Sequence, residues 1–352
     1  LDGCNIPEVA ALSQRLDMEF TAPFFNAAST AVQWNLGDYF GMLSQNDLVN
    51  NLEKALKKQY DVILIGGMPW NYFSQKHKAA ILSMVRAGTG LVYIGARDFG
   101  KDFPLLIKKQ NGTITTEPSA VLKDSPVIAG VPLDLLGKEP VWMYEIPNGR
   151  IYAAAAGLPY VAETAFGKGK VFFLNYRANF GRFSGSCGLT PNLKNEYTDR
   201  GVPYEFYFLM IGKAVLAGAN RSSALELFPV FGTDEVLFNV KSAGTADTEW
   251  ELFTLDRFLQ KRDTLTTEKK IASGTNQIKF GIPLRKAEGK QILCAIVRNK
   301  KGAVLASGAW SFTTYSPVRI AEFSVPVKFA EEGQQVTCAL KLDGSYKNAA
   351  LT

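Results

Sequence analysis

Residues 61–98 read DVILIGGMPWNYFSQKHKAAILSMVRAGTGLVYIGARD. Two short runs in this stretch, Val62-Ile-Leu-Ile65 and Leu91-Val-Tyr-Ile94, are apolar at every position. A strand that is apolar on both faces must be covered on both, which is the mark of a parallel strand inside a sheet. Between the two runs, Ser74 can cap a helix whose apolar positions Ala80, Ile81, Met84 and Val85 end at the Gly88-Thr-Gly90 breaker. The order is therefore strand, helix, strand. Parallel strands need such crossovers, and crossovers are right-handed, so the stretch reads as half of a doubly wound sheet.

Upstream, Val9, Leu12 and Leu16 have helical spacing, and Glu8 suits the positive end of that helix dipole. Asn46-Asp47 opens a second amphipathic helix through Leu48, Leu52 and Leu56. Downstream comes a polar excursion over residues 100–150. The runs Tyr160–Thr164 and Val171–Leu174 then form a hairpin around Gly167-Lys-Gly169, and a helix from Tyr204 to Leu216 closes the unit. The fold class expected for residues 1–221 is α/β, a doubly wound, flavodoxin-like and mostly parallel sheet.

Beyond Arg221 the pattern changes to short alternating segments, among them Glu235–Val240, Glu249–Thr254, Gln277–Phe280, Gln291–Val297 and Gly308–Thr313. Period-two alternation at this spacing predicts an all-β antiparallel sandwich, Ig-like, over residues 222–315. Two more strands, Arg319–Val325 and Gln335–Leu342, fall in 316–352 and read as the start of a further β domain or as closing strands. A length of 352 residues fits two or three domains. The chain opens and stops within its pattern and reads as a portion of something longer.

Composition narrows the function classes. With 47% hydrophobic and 20% charged residues the chain is globular. A net charge of +6 is spread along the sequence with acidic and basic residues interleaved, which argues against nucleic acid as a partner. The four cysteines, Cys4, Cys187, Cys294 and Cys338, have no CxxC spacing, and the single histidine, His77, cannot build a His-rich metal site. No metal and no cofactor are implied. No run approaches the roughly 20 apolar residues of a membrane span. His77, between Lys76 and Lys78, reads as a surface residue of its helix.

The stretch 61–98 resembles the arrangement in the class I glutamine amidotransferase and trehalose-utilisation (ThuA-like) group. There a buried strand ends in Gly-Gly, a helix follows, and the next strand delivers a catalytic elbow. The resemblance covers roughly residues 1–220 and implies a first strand preceding Leu1. Its chemistry is absent. The elbow position is Gly95-Ala96-Arg97-Asp98, without the nucleophilic cysteine, and Gly95 stands where ThuA-like proteins often carry histidine. Asn175-Tyr176-Arg177 replaces the family's histidine and carboxylate. Cys187 has no histidine to lower its pKa. No catalytic residue is assigned.

Ligands of such sheets sit at the carboxyl ends of the strands. The residues expected there are Gly66, Gly67 and Trp70, then Arg97 and Asp98, then Tyr176 and Arg177, with Met68, Pro69, Tyr72 and Asn179 beside them. Gly66-Gly67 reads either as an amide cradle for an anion or hydroxyl, or simply as a tight turn. Trp70 with Arg97, Asp98 and Arg177 suits a sugar or carboxylate, or else Trp70 anchors packing and Arg97 pairs with Asp98.

Three functions follow. The first is a non-catalytic ligand-binding or assembly portion of a larger bacterial protein, periplasmic or extracellular. Its partners would be carbohydrate or a small carboxylate, the parent protein's other domains, and a second copy in a homo-oligomer. By analogy with related α/β domains in carbohydrate-active proteins, carbohydrate is favoured. The second is a glycan hydrolase using Asp98 or Glu205, which would need two carboxylates roughly 5–9.5 Å apart. The third is a purely architectural module that buries Pro23-Phe-Phe25 and Tyr204–Phe208 against its partners.

Overall fold

The structure is a computed structural model. It describes residues 8, 9, 12, 13, 16, 18–22, 45–95, 103–122, 125, 127–180, 187–191, 204–221, 224–232, 235–256, 260–281, 289–314, 318–324 and 335–344. Residues 8, 9, 12, 13 and 16 are helical and are called here the first helical segment. Among the described residues three longer helices follow, α1 (Gln45–Ala55), α2 (Gln75–Ala87) and α3 (Tyr204–Gly218).

The first part holds β1 (Val62–Ile65), β2 (Gly90–Ile94), β3 (Ile107–Thr116), β4 (Ser119–Ala120), β5 (Glu139–Glu145), β6 (Arg150–Ala155), β7 (Leu158–Phe166), β8 (Gly169–Leu174), β9 (Ala178–Phe180) and β10 (Cys187–Pro191). Its main sheet runs β1-β2-β8-β7-β6-β4, while β3 pairs with β5 and β9 with β10. Strands β1, β2 and β8 are parallel. Strands β7, β6 and β4 continue the sheet antiparallel.

The strand–helix–strand reading of residues 61–94 is what the chain forms. Ser74 caps α2, its Oγ accepting from the His77 amide, and Gly88 ends it. A mostly parallel, doubly wound sheet is not evident. Half of the main sheet is antiparallel, because the turns at Gly167-Lys168 and at Ala156-Gly157 are too short for a crossover and force hairpins. Ala156 and Gly157 both have positive φ, 49° and 77°, as the tight turns of twisted hairpins require.

The parallel strands do have helices on both faces. Alternate residues of β2 serve two cores. Val92 and Ile94 pack with α3 residues Ile211 and Ala214, whereas Leu91 and Tyr93 pack with Leu52 of α1 and Val85 of α2. The approach of α3 is close. A Cβ on Gly90 would lie 2.1 Å from the Gly218 carbonyl oxygen. One exposure differs from expectation. His77 is 4% exposed, held between α2 and α1 with Nε2 3.8 Å from Glu53 Oε1. Burial lowers its pKa, partly offset by Glu53. It is therefore a packing residue and not a surface one.

The second part is a sandwich of antiparallel strands: β11 (Leu225–Phe231), β12 (Glu235–Ser242), β13 (Ala246–Leu255), β14 (Lys261–Ile271), β15 (Gly274–Gly281), β16 (Gly289–Asn299) and β17 (Val304–Thr314). One sheet is β11-β12-β15, the other β14-β13-β16-β17. Phe238, Trp250 and Phe280 fill the space between them. Strands β18 (Val318–Ser324) and β19 (Ala339–Gly344) pair with each other.

The outer face of the four-stranded sheet joins the first core. Ile292, Cys294 and Ala309 are buried in it, and the Ala309 amide donates to the Gly130 carbonyl at 2.8 Å. Burial pushes the Cys294 thiol up to about 12. Lys213 of α3 is crowded where α3 meets the sandwich. Burial lowers its pKa from 10.5 to about 8, with Glu226 acting the other way.

Two outcomes follow from this packing. Gly90→Ala should lower the urea midpoint, by about 1–3 kcal/mol of stability, since neither β2 nor α3 can withdraw alone. Lys213→Met should stabilise at neutral pH by about 1 kcal/mol. Because the folded pKa of Lys213 is depressed, its destabilising effect is full below pH 8 and fades as pH rises towards 10.5, where the unfolded lysine also loses its proton. Melting temperatures of both proteins across pH 6–10 should therefore converge at the alkaline end.

Candidate functional site

The carboxyl ends of β1, β2 and β8 lie together, and each segment leaving them is tied down. After β1 the chain turns through Gly66 and Gly67, with Gly67 at φ 59°, a left-handed conformation that favours glycine. Tyr93 Oη donates to the Met68 carbonyl at 2.8 Å and pins the turn to β2. Pro69 then starts a single helical turn, Trp70–Tyr72.

Trp70 is 1% exposed. Its ring meets Phe103 edge-on at 4.7 Å, and Phe73 and Tyr93 lie 5.7 and 6.2 Å away. As placed, it offers no face on which a sugar could stack. Gly66 and Gly67 are buried as well. Gly66 and Met68 line the head of an apolar cavity that runs down beside β1.

After β8 the same closure recurs with polar groups. Asn175 Nδ2 donates to the carbonyls of Trp142 and Pro159 at 2.9 and 2.8 Å, tying β8 to β5 and β7. Tyr176 is fully buried, and its hydroxyl donates to the Leu189 carbonyl. Leu189 and Thr190 are in turn held by Glu8, whose carboxylate accepts from the Leu189 amide at 3.0 Å and from Thr190 Oγ1 at 2.6 Å. Glu8 is thus a buried tie between the first helical segment and β10, a role its helix-dipole reading did not include.

Around Tyr176 stand Tyr207, edge-on at 5.1 Å, and Tyr160 at 6.0 Å. The hydroxyls of Tyr160 and Tyr207 are close enough to influence one another's titration but lack the geometry of a hydrogen bond. Burial drives the pKa of all three phenols upward and Glu139 adds to it at each; Tyr160 also raises those of Tyr176 and Tyr207, whereas Tyr207 acts the other way on Tyr160. Phenols so raised stay protonated through the physiological range. They can donate hydrogen bonds but cannot act as bases.

Of the seven residues expected to bind ligand, the structure brings Gly66, Gly67, Trp70 and Tyr176 into packed surroundings, and Arg177 alone among the described ones has an exposed side chain. The Arg177 amide donates to the Pro140 carbonyl at 2.7 Å. Arg97 and Asp98 lie outside the described residues, as does the aromatic stretch Pro23–Phe25. Glu205 opens α3 with an exposed side chain. Sequence reasoning missed Glu8, Tyr160, Tyr207 and Glu139. A polar residue within an otherwise apolar run, such as Tyr160 in Leu158–Ala162, was the available signal.

If Tyr176 acts as this internal tie, Tyr176→Phe should cost about 1–3 kcal/mol, the penalty of a buried carbonyl losing its donor. Chemical denaturation would reveal it as a lower midpoint with an unchanged slope. An unchanged midpoint would mean that the hydroxyl has no structural part.

No family model matches this sequence, and no curated protein does. Among solved structures it is similar to two cytoplasmic proteins of Salmonella typhimurium, at 13% and 14% identity over 46% and 47% of this chain and 73% and 74% of theirs, both with a TM-score of 0.33. It is also similar to part of a Bacteroides uniformis β-glucuronidase, at 12% identity over 26% of this chain and 13% of that one, with a TM-score of 0.21. An exo-chitosanase of Amycolatopsis orientalis is similar at 8% identity over 36% of this chain and 15% of its own, with a TM-score of 0.24. Likenesses this distant assign no function.

Proposed function

We propose that this chain is a non-catalytic assembly portion of a larger protein, built on a degenerate relative of the amidotransferase and ThuA-like α/β unit with a sandwich attached. One observation carries the reading: the described side chains at the strand ends, Arg177 excepted, are consumed in packing. Trp70 is sealed among aromatic rings, and Asn175 and Tyr176 are committed to main-chain carbonyls. The absence of the family's cysteine and histidine from residues 95–98 and 175–177 supports it from the sequence. The division at 221/222 and 315/316 belongs to the same proposal.

A second reading keeps a carbohydrate or small carboxylate at the strand ends. The exposed side chain of Arg177 favours it. In that case Arg177, Arg97 and Asp98 would hold the ligand with the amides of Gly66 and Gly67, and Trp70 and Tyr176 would only support them.

A thermal-shift screen against mono- and oligosaccharides and small carboxylates tests both. A site with Kd of about 1 mM would gain about 2.7 kcal/mol at about 100 mM ligand, a shift of several degrees. Under the assembly reading every ligand leaves the melting temperature in place. A shift that Arg177→Ala abolishes would replace that reading with the second.

A further inference from the structure

The sequence holds two Asn-Gly pairs, Asn111-Gly112 and Asn148-Gly149. Such a pair is chemically labile, because glycine has no Cβ to keep its amide nitrogen away from the asparagine side chain. The fold treats the two pairs oppositely.

Asn148-Gly149 completes the tight turn of residues 146–149 between β5 and β6. Pro147 has its φ fixed by its ring, Asn148 follows at φ 56°, and the Gly149 amide donates to the Ile146 carbonyl at 3.0 Å, the pattern of a type II turn. A Cβ on Gly149 would lie 2.5 Å from Ile146 Cγ2. The Gly149 nitrogen is thus hemmed in, and it cannot release its proton to water or swing towards Cγ of Asn148 while the turn holds.

Asn111-Gly112 lies where β3 leaves its ladder. Lys108 pairs with Tyr144 and Thr113 with Trp142, so residues 109–112 stand opposite Met143 alone. They form a large bulge, in which the extra residues have no register partner on β5. Gln110 and Gly112 are exposed. Gly112 has φ 109°, and nothing lies within 4 Å of where its Cβ would be. The main chain has room to turn there.

We propose that Asn111 is a site of self-modification, which converts through a cyclic imide to isoaspartate and aspartate in the folded chain, while its turn preserves Asn148. The Gly112 nitrogen bonds to Asn111 Cγ, and the side-chain amide group leaves as ammonia, taking up the proton that the nitrogen loses. Water then opens the ring at either carbonyl. One opening restores the ordinary main chain with an aspartate; the other routes the main chain through the former side chain, one carbon longer. Nothing is oxidised or reduced, and water is the only co-reactant. The new carboxylate falls close in sequence to Lys108 and Lys109, and the extra carbon falls within the bulge, where it displaces no ladder pair. The reaction uses no group at the strand ends and stands whether or not the chain is an assembly portion.

The test is peptide mapping by mass spectrometry of the full 352-residue chain, kept folded at neutral and mildly alkaline pH and, in parallel, unfolded in guanidinium chloride. In the folded chain, conversion at Asn111 should outrun that at Asn148 by about tenfold or more, because the turn must open before Asn148 can react. It should rise with pH and yield isoaspartate alongside aspartate. Unfolding should bring the two rates together. Pro147→Gly, which loosens the turn, should raise conversion at Asn148 and leave Asn111 unchanged. Asn111 that stays intact in the folded chain overturns the proposal, as does equal conversion at the two pairs before unfolding. A gap that persists after unfolding, or an Asn148 indifferent to Pro147→Gly, would overturn the part given to the fold. Aspartate without isoaspartate would overturn the imide, since direct hydrolysis then takes its place.

Discussion

Burial of β2 and β8 on both faces is the constraint on which the rest of the first part depends. Every residue of Leu91–Ile94 and Val171–Leu174 is inaccessible, and successive side chains feed opposite cores. Such strands cannot tolerate one bare face, so α3 with the first helical segment must cover one side and α1 with α2 the other. The glycine at the head of β2 follows from the same demand, because α3 can seal its face only by closing to backbone contact.

The same closure governs chemistry. In an open α/β sheet the strand ends are where reactive groups can be displayed. Here the chain leaving β1 is stitched to β2 by Tyr93, and the chain leaving β8 is stitched to β5, β7 and β10 by Asn175 and Tyr176. Groups held this firmly are rigid and desolvated. Such properties suit a scaffold, and they suit a reaction only where a nucleophile or base with a useful pKa is among them.

The elements that were legible in the sequence were those with a local cause. The two apolar runs, the Ser74 cap, the Gly88 stop and the glycine hairpin before β8 each carry their signal within a few residues. Sheet sense was less legible, because an apolar run looks the same whether its neighbour is parallel or antiparallel. The burial of Trp70 and His77 depends on partners such as Phe103 and Glu53, which lie elsewhere in the chain. Strand β14 went unread since Lys261–Ile271 has only Leu265 and Ile271 as apolar residues among charged residues and threonines, as an exposed edge strand can. Glu8 looked like a dipole partner because its real partners are 181 and 182 residues away.

Strand β16 is apolar on both faces for a different reason. Leu293 and Ala295 belong to the sandwich core, while Ile292 and Cys294 belong to the core of the first part. One strand is thus a wall shared by two rooms. The sandwich is not a bead that could be exchanged or cut away at residue 222 without leaving an apolar face bare on each piece. Loss of order in either part should spread through that wall to the other, which gives the two parts a common unfolding transition where a flexible linker would have given them two.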